Sequence, residues 1–159
     1  MEEKEVILTK EGFEKLEKEL NYLRTEKRTE IADRIKIALG FGDLSENSEY
    51  EEAKNEQALL EAKIAEMEAT IRKAKVVADH EISTDEAGVG TQVTVHDYEF
   101  DEEITYSIVG ATEVNVAENK ISNESPLGKA LMGKRKGEEF EVETPAGIAK
   151  YKLVDIKRI

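Results

Sequence analysis

The sequence predicts an α+β protein in which an N-terminal antiparallel two-helix coiled coil is followed by a small domain of one sheet and one short helix. Between residues 9 and 78 there is no proline, and apolar residues recur at helical spacing. After residue 79, apolar and polar residues alternate, and glycines separate the alternating segments. We therefore predict a helical finger over residues 1–79 and a second domain over residues 80–159.

The second helical arm carries a sustained heptad pattern. Its seam positions are separated by alternating threes and fours: Tyr50, Ala53, Gln57, Leu60, Ile64, Met67, Ile71 and Ala74. This pattern is typical of a coiled coil. By itself it favours a dimerisation coil or a plain spacer over a finger with a functional end.

The first helical arm has the same pattern with one interruption. Its seam positions are Phe13, Leu16, Leu20 and Leu23, and then, after a shift, Ile31, Ile35 and Ala38. Lys27 occupies the position where the shift occurs. A shift of this kind predicts a local change in helical winding without an end to the helix.

A short glycine-containing connection, Gly40-Phe41-Gly42-Asp43, joins the two arms. Because two long helices joined so briefly must fold back on each other, we predict an antiparallel pair. Each arm would be about 40 Å long at the rise of an α-helix. The pair would therefore form a thin finger with a defined tip.

The second half of the chain predicts four strands and one helix. The strands fall near residues 91–95, 104–108, 140–142 and 151–156, where apolar residues alternate with polar ones. Ser125 is a good N-cap for the helix, Pro126 suits its first position, and Gly133 suits its end. A small sheet packed on a single helix is an α+β domain.

The composition excludes several classes of function. The net charge of −13 argues against a protein that binds DNA or RNA by itself, because duplex affinity depends on Lys and Arg side chains that neutralise phosphates. The absence of cysteine excludes a thiolate metal site, a disulfide framework and a cysteine nucleophile. No apolar run approaches membrane-spanning length, and the N-terminus is acidic. We expect a cytoplasmic protein that makes no contact with membranes.

The predicted tip is strongly acidic. Between residues 37 and 53 there are five acids and no bases. Asp43 and Glu46 stand three residues apart at the predicted start of the second helix, so both carboxylates would face the same side. Two such carboxylates can supply part of a Mg²⁺ site. The same spacing is that of a capping box with Asp43 as the N-cap, and spacing alone favours the cap.

Three segments resemble the Gre family of bacterial transcript-cleavage factors, and the resemblance is to the GreA type. Residues 42–50, Gly-Asp-Leu-Ser-Glu-Asn-Ser-Glu-Tyr, match the tip signature of that family. Residues 8–13, Leu-Thr-Lys-Glu-Gly-Phe, are similar to its opening segment, and residues 121–131 are similar to its C-terminal signature. The resemblance spans nearly the whole chain.

This resemblance implies a function and a mechanism. The coiled coil of a Gre factor enters the secondary channel of bacterial RNA polymerase, and an FKBP-like C-terminal domain docks at the rim of the channel. Asp43 and Glu46 match the tip carboxylates that act in trans on backtracked RNA, sharing a Mg²⁺ ion that the polymerase mainly holds. The protein would then be a helper that rescues arrested complexes. It would not be an enzyme and would bind no metal stably by itself.

The resemblance also assigns roles to neighbouring positions. Gly42, Leu44, Ser45 and Asn47 would form the tip turn. Tyr50 and Lys54 are candidates for contact with RNA or polymerase, and Ser125 and Pro126 are candidates for docking at the polymerase rim. RNA and DNA would be met only within the elongation complex, at the RNA 3′ end in the case of the tip. An intramolecular finger of this kind predicts a monomer.

Three other interpretations remain open at the level of sequence. Family members commonly carry an Arg-Glu pair where this chain has Leu39-Gly40, which leaves room for a regulator that binds the channel without promoting cleavage. A prolyl isomerase or chaperone rests on analogy of fold alone. A plain coiled-coil adaptor would be a dimer.

Charged and titratable residues elsewhere allow two interpretations each. His80 and His96 have no partner in a triad or metal motif, so packing or surface roles are expected. The cluster Lys134-Arg135-Lys136 predicts either a contact with an acidic partner surface or an ordinary exposed turn. Midway along the first arm, the bases would face nucleic acid or the glutamates of the other arm: Arg24, Lys27 and Arg28.

Overall fold

The computed structural model describes residues 5–40 and 47–159, and it confirms the α+β class. Contacts divide the chain into two compact units. The helical unit comprises Glu14–Lys73, and the sheet unit comprises Ala74–Ile159 together with the N-terminal segment through Phe13.

The helical unit is an antiparallel hairpin, as predicted. The first arm of the hairpin is α1 (Lys10–Tyr22), a π-helical segment (Leu23–Lys27) and α2 (Arg28–Leu39), and its second arm is α3 (Ser48–Lys73). The first four residues of α1 belong to the sheet unit. The seam is apolar and closed between the arms, with five buried members: Leu20, Ile31, Leu60, Ile64 and Met67. Leu16, Leu23, Ile35 and Ile71 pack against them.

Three ion pairs between the arms show the antiparallel register. As the number of the arginine rises, that of its glutamate falls: Arg24–Glu68, Arg28–Glu61 and Arg34–Glu56. The glutamates of the other arm are therefore the partners of Arg24 and Arg28. Lys27 pairs instead with Glu30 on its own arm, at 3.5 Å. The hydrogen bond from Arg28 is the main cause that lowers the pKa of the Glu61 carboxyl.

The π-helical segment coincides with the predicted shift in the heptad pattern. The residues on either side, Tyr22 and Arg28, both have right-handed helical backbone angles, so the helix continues through the segment. A π turn accommodates one more residue than an α turn. Ile31 and Ala38 consequently remain buried against α3 although the heptad count is broken at Lys27.

The sheet unit contains a five-stranded sheet in the order β5-β4-β3-β7-β6. The strands are β3 (Thr91–Asp97), β4 (Glu102–Val109), β5 (Lys120–Ser122), β6 (Glu139–Thr144) and β7 (Gly147–Arg158). All four predicted strands are present. Neighbouring strands are antiparallel except for β4 and β5, which are parallel. The short strand β5 was not predicted, because three residues are too few to show alternation.

The predicted helix of the second domain is α4 (Pro126–Leu131). The Gly128 N–H donates to Ser125 Oγ at 3.1 Å, so Ser125 is the N-cap, and Pro126 occupies the first turn. Gly133 follows the helix with a φ of 79°, a conformation that favours glycine. Leu131 is fully buried in the core of this unit. The other buried members of that core are Ala87, Val89, Val93, Val95, Ile108, Phe140, Val142, Leu153 and Ile156.

Two short strands differ from the predicted finger. Strands β1 (Val6–Thr9) and β2 (Ala74–Val77) pair in parallel, with Val6 opposite Ala74, and both belong to the sheet unit. Ala74 therefore begins a strand and does not end the heptad seam. Leu8 is fully buried. Four-residue strands next to long helices carry no periodicity of their own, so only the pairing of residues far apart in sequence reveals them.

One carboxylate of the sheet unit binds the first residues of α1, which belong to the same unit. Glu113 accepts hydrogen bonds from the N–H groups of Thr9 and Gly110, at 3.1 and 3.0 Å, and from the Thr9 hydroxyl. Thr9 Oγ1 in turn accepts from the Gly12 N–H at 3.1 Å, which caps the helix. A Cβ atom at Gly12 would overlap the Glu113 side chain. The Thr9-to-Gly12 stretch of the opening segment thus has a structural explanation.

Replacing Gly12 with alanine tests this packing. Alanine is the better helix former by about 1 kcal/mol, yet we expect G12A to lower the free energy of unfolding by about 2 kcal/mol, because Glu113 must leave its three donors. Urea denaturation measures the change. Gly88 is the matched control, since no heavy atom lies near the position of its Cβ. A G12A protein as stable as G88A would contradict this account.

Single-residue deletions test the π segment. Removing exposed Glu26 takes out the extra residue and leaves both parts of the seam in register, so the loss of stability should be below about 1 kcal/mol. Removing exposed Lys63 rotates Leu60 and Ile64 apart by about 100°, and the loss should be about 3 kcal/mol or more. Thermal and urea unfolding compare the two proteins. Equal losses would show that the π segment does not absorb the shift.

Candidate functional site

The candidate site is the distal end of the helical hairpin. Residues 41–46 lie outside the described residues, and with them the predicted carboxylates Asp43 and Glu46 and the predicted turn residues Gly42, Leu44 and Ser45. The structure describes the two helix ends that flank this segment, which are the end of α2 at Gly40 and the start of α3 at Ser48. We call these two helix ends the frame of the site.

Asn47 joins the two ends of the frame. Its Nδ2 donates to the Ala38 carbonyl at 2.6 Å, and its Oδ1 accepts from the Tyr50 N–H at 3.1 Å. The Tyr50 N–H lies in the first turn of α3, where N–H groups have no intrahelical partner, and the Ala38 carbonyl lies in the last turn of α2. An amide can donate and accept at once, whereas a carboxylate can only accept. Asn47 therefore links the start of α3 to the end of α2 by hydrogen bonds.

This arrangement corrects the predicted start of the second helix. Helix α3 begins at Ser48, and Asn47 is its N-cap, so the capping box with Asp43 as N-cap is wrong for this helix. The sequence analysis placed Asn47 in the tip turn and did not predict that it caps α3. A sequence signal was available, since Asn is among the strongest N-cap residues.

Charge is unbalanced at this end. Glu49 and Glu51 are exposed in the first turn of α3, where acids interact favourably with the helix dipole, and neither forms an ion pair within residues 5–40 and 47–159. Arg34 is neutralised by Glu56, whose hydrogen bond and charge raise the pKa of the guanidinium. No base lies between residues 37 and 53. The distal end therefore presents negative charge that its own surroundings do not compensate.

Two candidate contact residues lie on the first turns of α3. Tyr50 is half-buried at the beginning of the seam, consistent with a packing role. Lys54 is exposed, and its Nζ donates to Gln57 Oε1 at 3.1 Å. Both side chains lie on the arm that carries the acidic end, and their contact with RNA or polymerase stays a prediction.

Apolar side chains are exposed on the last turns of α2. Ile37 is 64% exposed and Leu39 is 47% exposed. Leu39, the first residue of the Leu39-Gly40 pair, therefore lies on the surface. Ile37 was missed by sequence reasoning, although its position outside the heptad seam was a signal.

The candidate docking residues occupy the start of α4 in the sheet unit. Ser125 Oγ accepts from Gly128 and donates to the Ser122 carbonyl at 2.7 Å, so its hydroxyl is already engaged within the unit. Pro126 is exposed. Of the two, Pro126 is the one whose side chain is open to a partner.

Metal-binding clusters are not found in the part of the chain that the structure describes. No group of three or more His, Cys, Asp or Glu residues is arranged there to hold an ion. His96 lies 3.1 Å from Asp101 and edge-on to the Tyr98 ring, and His80 is exposed in a 3₁₀ turn. Among the same residues, no helix is long and apolar enough to span a membrane.

Comparison with known proteins shows similarity over both halves of the chain. The family model for the N-terminal region of transcription elongation factors matches residues 6–76, and the model for the GreA/GreB C-terminal region matches residues 82–158. The transcription elongation factor GreA of Clostridium acetobutylicum is 54% identical over 98% of this chain and 99% of its own length. That of Caldanaerobacter subterraneus is 55% identical over the same shares.

Solved structures of similar sequence include the GreA factor homolog 1 of Thermus thermophilus. It is 32% identical, covers 97% of this chain and 99% of its own, and superposes with a TM-score of 0.45. A GreA/GreB factor of Nitrosomonas europaea is 20% identical over 96% of this chain and 99% of its own, with a TM-score of 0.43. Because the two family models match both halves and relatives more than half identical align over nearly the full length, this chain belongs to the GreA/GreB family of transcription elongation factors.

Proposed function

We propose that this protein binds bacterial RNA polymerase, inserts its helical hairpin into the secondary channel and stimulates the polymerase's own cleavage of backtracked RNA, which rescues arrested complexes. The observation that carries the proposal is the closure of the hairpin end by Asn47. The segment that contains Asp43 and Glu46 connects two helix ends that Asn47 holds together.

The dimensions of the hairpin suit insertion into a channel. Helix α3 has 26 residues and is therefore about 39 Å long, and two packed helices are about 20 Å across. The apolar seam is buried within a single chain, with Ile64 only 2% exposed. Since no second chain is needed to cover the seam, the hairpin supports a monomeric factor over a dimeric adaptor coil.

The chemistry that we propose needs the polymerase. Mg²⁺ stabilises developing charge and activates water in two-metal phosphodiester hydrolysis. Asp43 and Glu46 would add carboxylate oxygens to an ion that the polymerase mainly holds, and would orient the attacking water. Two carboxylates are too few to retain Mg²⁺ alone, so the protein is a helper of the polymerase and not an enzyme.

Contact with nucleic acid would take place only inside the elongation complex. With a net charge of −13, the free protein repels DNA and RNA. Tyr50 and Lys54 would meet the RNA 3′ end once the hairpin is inserted. The FKBP-like sheet unit would dock at the channel rim through the region of Ser125 and Pro126.

Neutral isosteres at the two carboxylates test the proposed chemistry. In halted, backtracked complexes, D43N and E46Q should each reduce stimulated RNA cleavage by about 100-fold or more, because each removes a charged oxygen from the reaction. Polymerase binding should be unchanged. E51Q is the matched control, since Glu51 is exposed at the same end and the substitution removes the same charge. Wild-type cleavage by D43N or E46Q would refute the mechanism.

Wild-type protein in the same assay also tests the alternative of a non-cleaving channel regulator. That alternative requires slowed elongation without shortened transcripts. It is kept because Leu39-Gly40 stands where family members commonly carry Arg-Glu.

Substitution of Asn47 tests the frame. N47D keeps the oxygen that caps α3 but loses the donor to Ala38, so we expect a stability loss of about 1 kcal/mol and a drop in stimulated cleavage of about tenfold. N47A loses both bonds and should be weaker in both measurements. Urea unfolding and the transcript-cleavage assay report the two effects. If N47D cleaves like the wild type, closure of the hairpin end is not needed for activity.

A further inference from the structure

A groove lies on the sheet unit, and every residue that lines it belongs to that unit. Its volume is about 240 Å³, which is many times the space that one water molecule needs. Ser125 and Pro126 are not among its lining residues. The floor of the groove is formed by apolar side chains: Ile7, Val77, Ile82, Ala87, Val89 and Met132. The groove therefore has room for a small molecule and an apolar surface for it to contact.

Two glycines leave the groove open. A Cβ atom at Gly88 or at Gly133 would have no neighbouring heavy atom within 4 Å, so nothing occupies the space beside either backbone. Gly133 has a φ of 79°, a conformation that favours glycine. Met132 is 37% exposed, and the flexible thioether of methionine adapts to ligands of different shape. A ligand can therefore approach the backbone closely at two places.

Hydrogen bonds hold the walls of the groove in place. The Ala87 N–H donates to the Lys134 carbonyl at 2.8 Å, and the Gly133 N–H donates to the Ala87 carbonyl at 2.9 Å. The Thr91 side chain is 1% exposed, and its hydroxyl donates to the Gly88 carbonyl at 2.6 Å. The groove is therefore formed before a ligand arrives, which reduces the entropy lost on binding.

The charged side chains that line the groove are both acidic. Glu81 and Glu86 are exposed, and neither forms an ion pair with any residue that the structure describes. No lysine or arginine occurs between residues 76 and 119. Arg158 reaches this segment, but it donates to the backbone carbonyl of Asp79, at 3.4 Å, and not to a carboxylate. The groove therefore combines an apolar floor with negative charge that the described residues do not neutralise.

We propose that the groove binds a small aliphatic amine, with the apolar chain of the ligand on the floor and its ammonium group beside Glu81 and Glu86. Contact with the floor stabilises such a ligand in proportion to the apolar area that leaves water. The two carboxylates attract an ammonium ion and repel phosphates and carboxylates. A neutral ligand of the same shape gains only the apolar contribution. Charge complementarity therefore selects an alkylammonium ion.

Three probes that share one alkyl chain test the class of ligand. Hexylammonium, hexanol and hexanoate are titrated into the full chain at low salt, and binding is followed by NMR of the backbone amides. Hexylammonium should shift the resonances of Gly88, Val89 and Gly133 in a saturable manner. Hexanol should bind about fivefold more weakly because it lacks the charge, and hexanoate should not bind. Equal affinity for hexanol and hexylammonium overturns the proposal, and so does the absence of saturable shifts.

Charge variants locate the site. E81Q/E86Q removes both carboxylates and should lower the affinity for hexylammonium about fivefold, to that of hexanol. E141Q/E143Q removes two exposed charges elsewhere on the same unit that form no ion pair with described residues, and it should bind like the wild type. The difference should shrink as salt rises, because screening weakens exposed charge pairs. Equal affinities of the two double variants would show that the ligand responds only to net charge and would refute the site.

Leucine at Gly88 tests the apolar floor independently of charge. Because no neighbouring heavy atom lies within 4 Å of the Cβ position, G88L should unfold at the wild-type temperature while its side chain occupies part of the groove. The affinity for hexylammonium should fall about tenfold, since the ligand loses apolar contact. G88A, which adds a single methyl group, should give a smaller loss in the same direction. Wild-type affinity in G88L would show that the ligand does not lie in the groove.

A lysine side chain of another protein carries the same ammonium group on a shorter chain. Blocked lysine, N-acetyl-lysine methylamide, should bind more weakly than hexylammonium, because its polar amides cannot lie on an apolar floor without losing hydrogen bonds to water. Tighter binding of blocked lysine would identify a protein segment as the occupant and would overturn the proposal of a small amine. These titrations contain no polymerase, so they can fail while the function proposed above stands, and that function can fail while they succeed.

Discussion

Burial of one apolar seam between antiparallel helices is the constraint on which the rest of the helical unit depends. Each buried leucine, isoleucine or methionine of the seam contributes about 1.5–3 kcal/mol, whereas an exposed ion pair contributes far less because water and salt screen it. The seam therefore holds the arms together, and the pairs Arg24–Glu68 and Arg28–Glu61 mainly specify their register. The described part of the seam is closed within a single chain.

The distal end combines a satisfied backbone with unsatisfied charge. Asn47 provides partners for the last turn of one helix and the first turn of the next with a single amide. Glu49 and Glu51 beside it form no ion pair with any residue that the structure describes. The end of the hairpin is therefore an acidic surface, which suits contact with a larger partner under the function proposed above.

The sheet unit depends on its N-terminal segment as well as on its own core. Glu113 accepts three hydrogen bonds, two of them from Thr9, and Gly12 leaves room for its side chain. Leu8 is fully buried in the strand that precedes Thr9. Leu8, Thr9 and Gly12 are therefore part of the structure of the C-terminal half.

Local periodicity in the sequence determined the α+β class, both helical arms, the shift at Lys27, four strands and the cap at Ser125, because each of these features depends on neighbours within about one or two turns. Tertiary structure alone decided the pairing of β1 with β2, the short strand β5 and the partners of Arg24 and Arg28, since these contacts join residues far apart in sequence. It also assigned the cap of α3 to Asn47, where spacing had favoured Asp43. Two acids three residues apart give the same sequence pattern in a helix cap and in a metal site. The roles of Asp43 and Glu46 therefore depend on the partner that they meet.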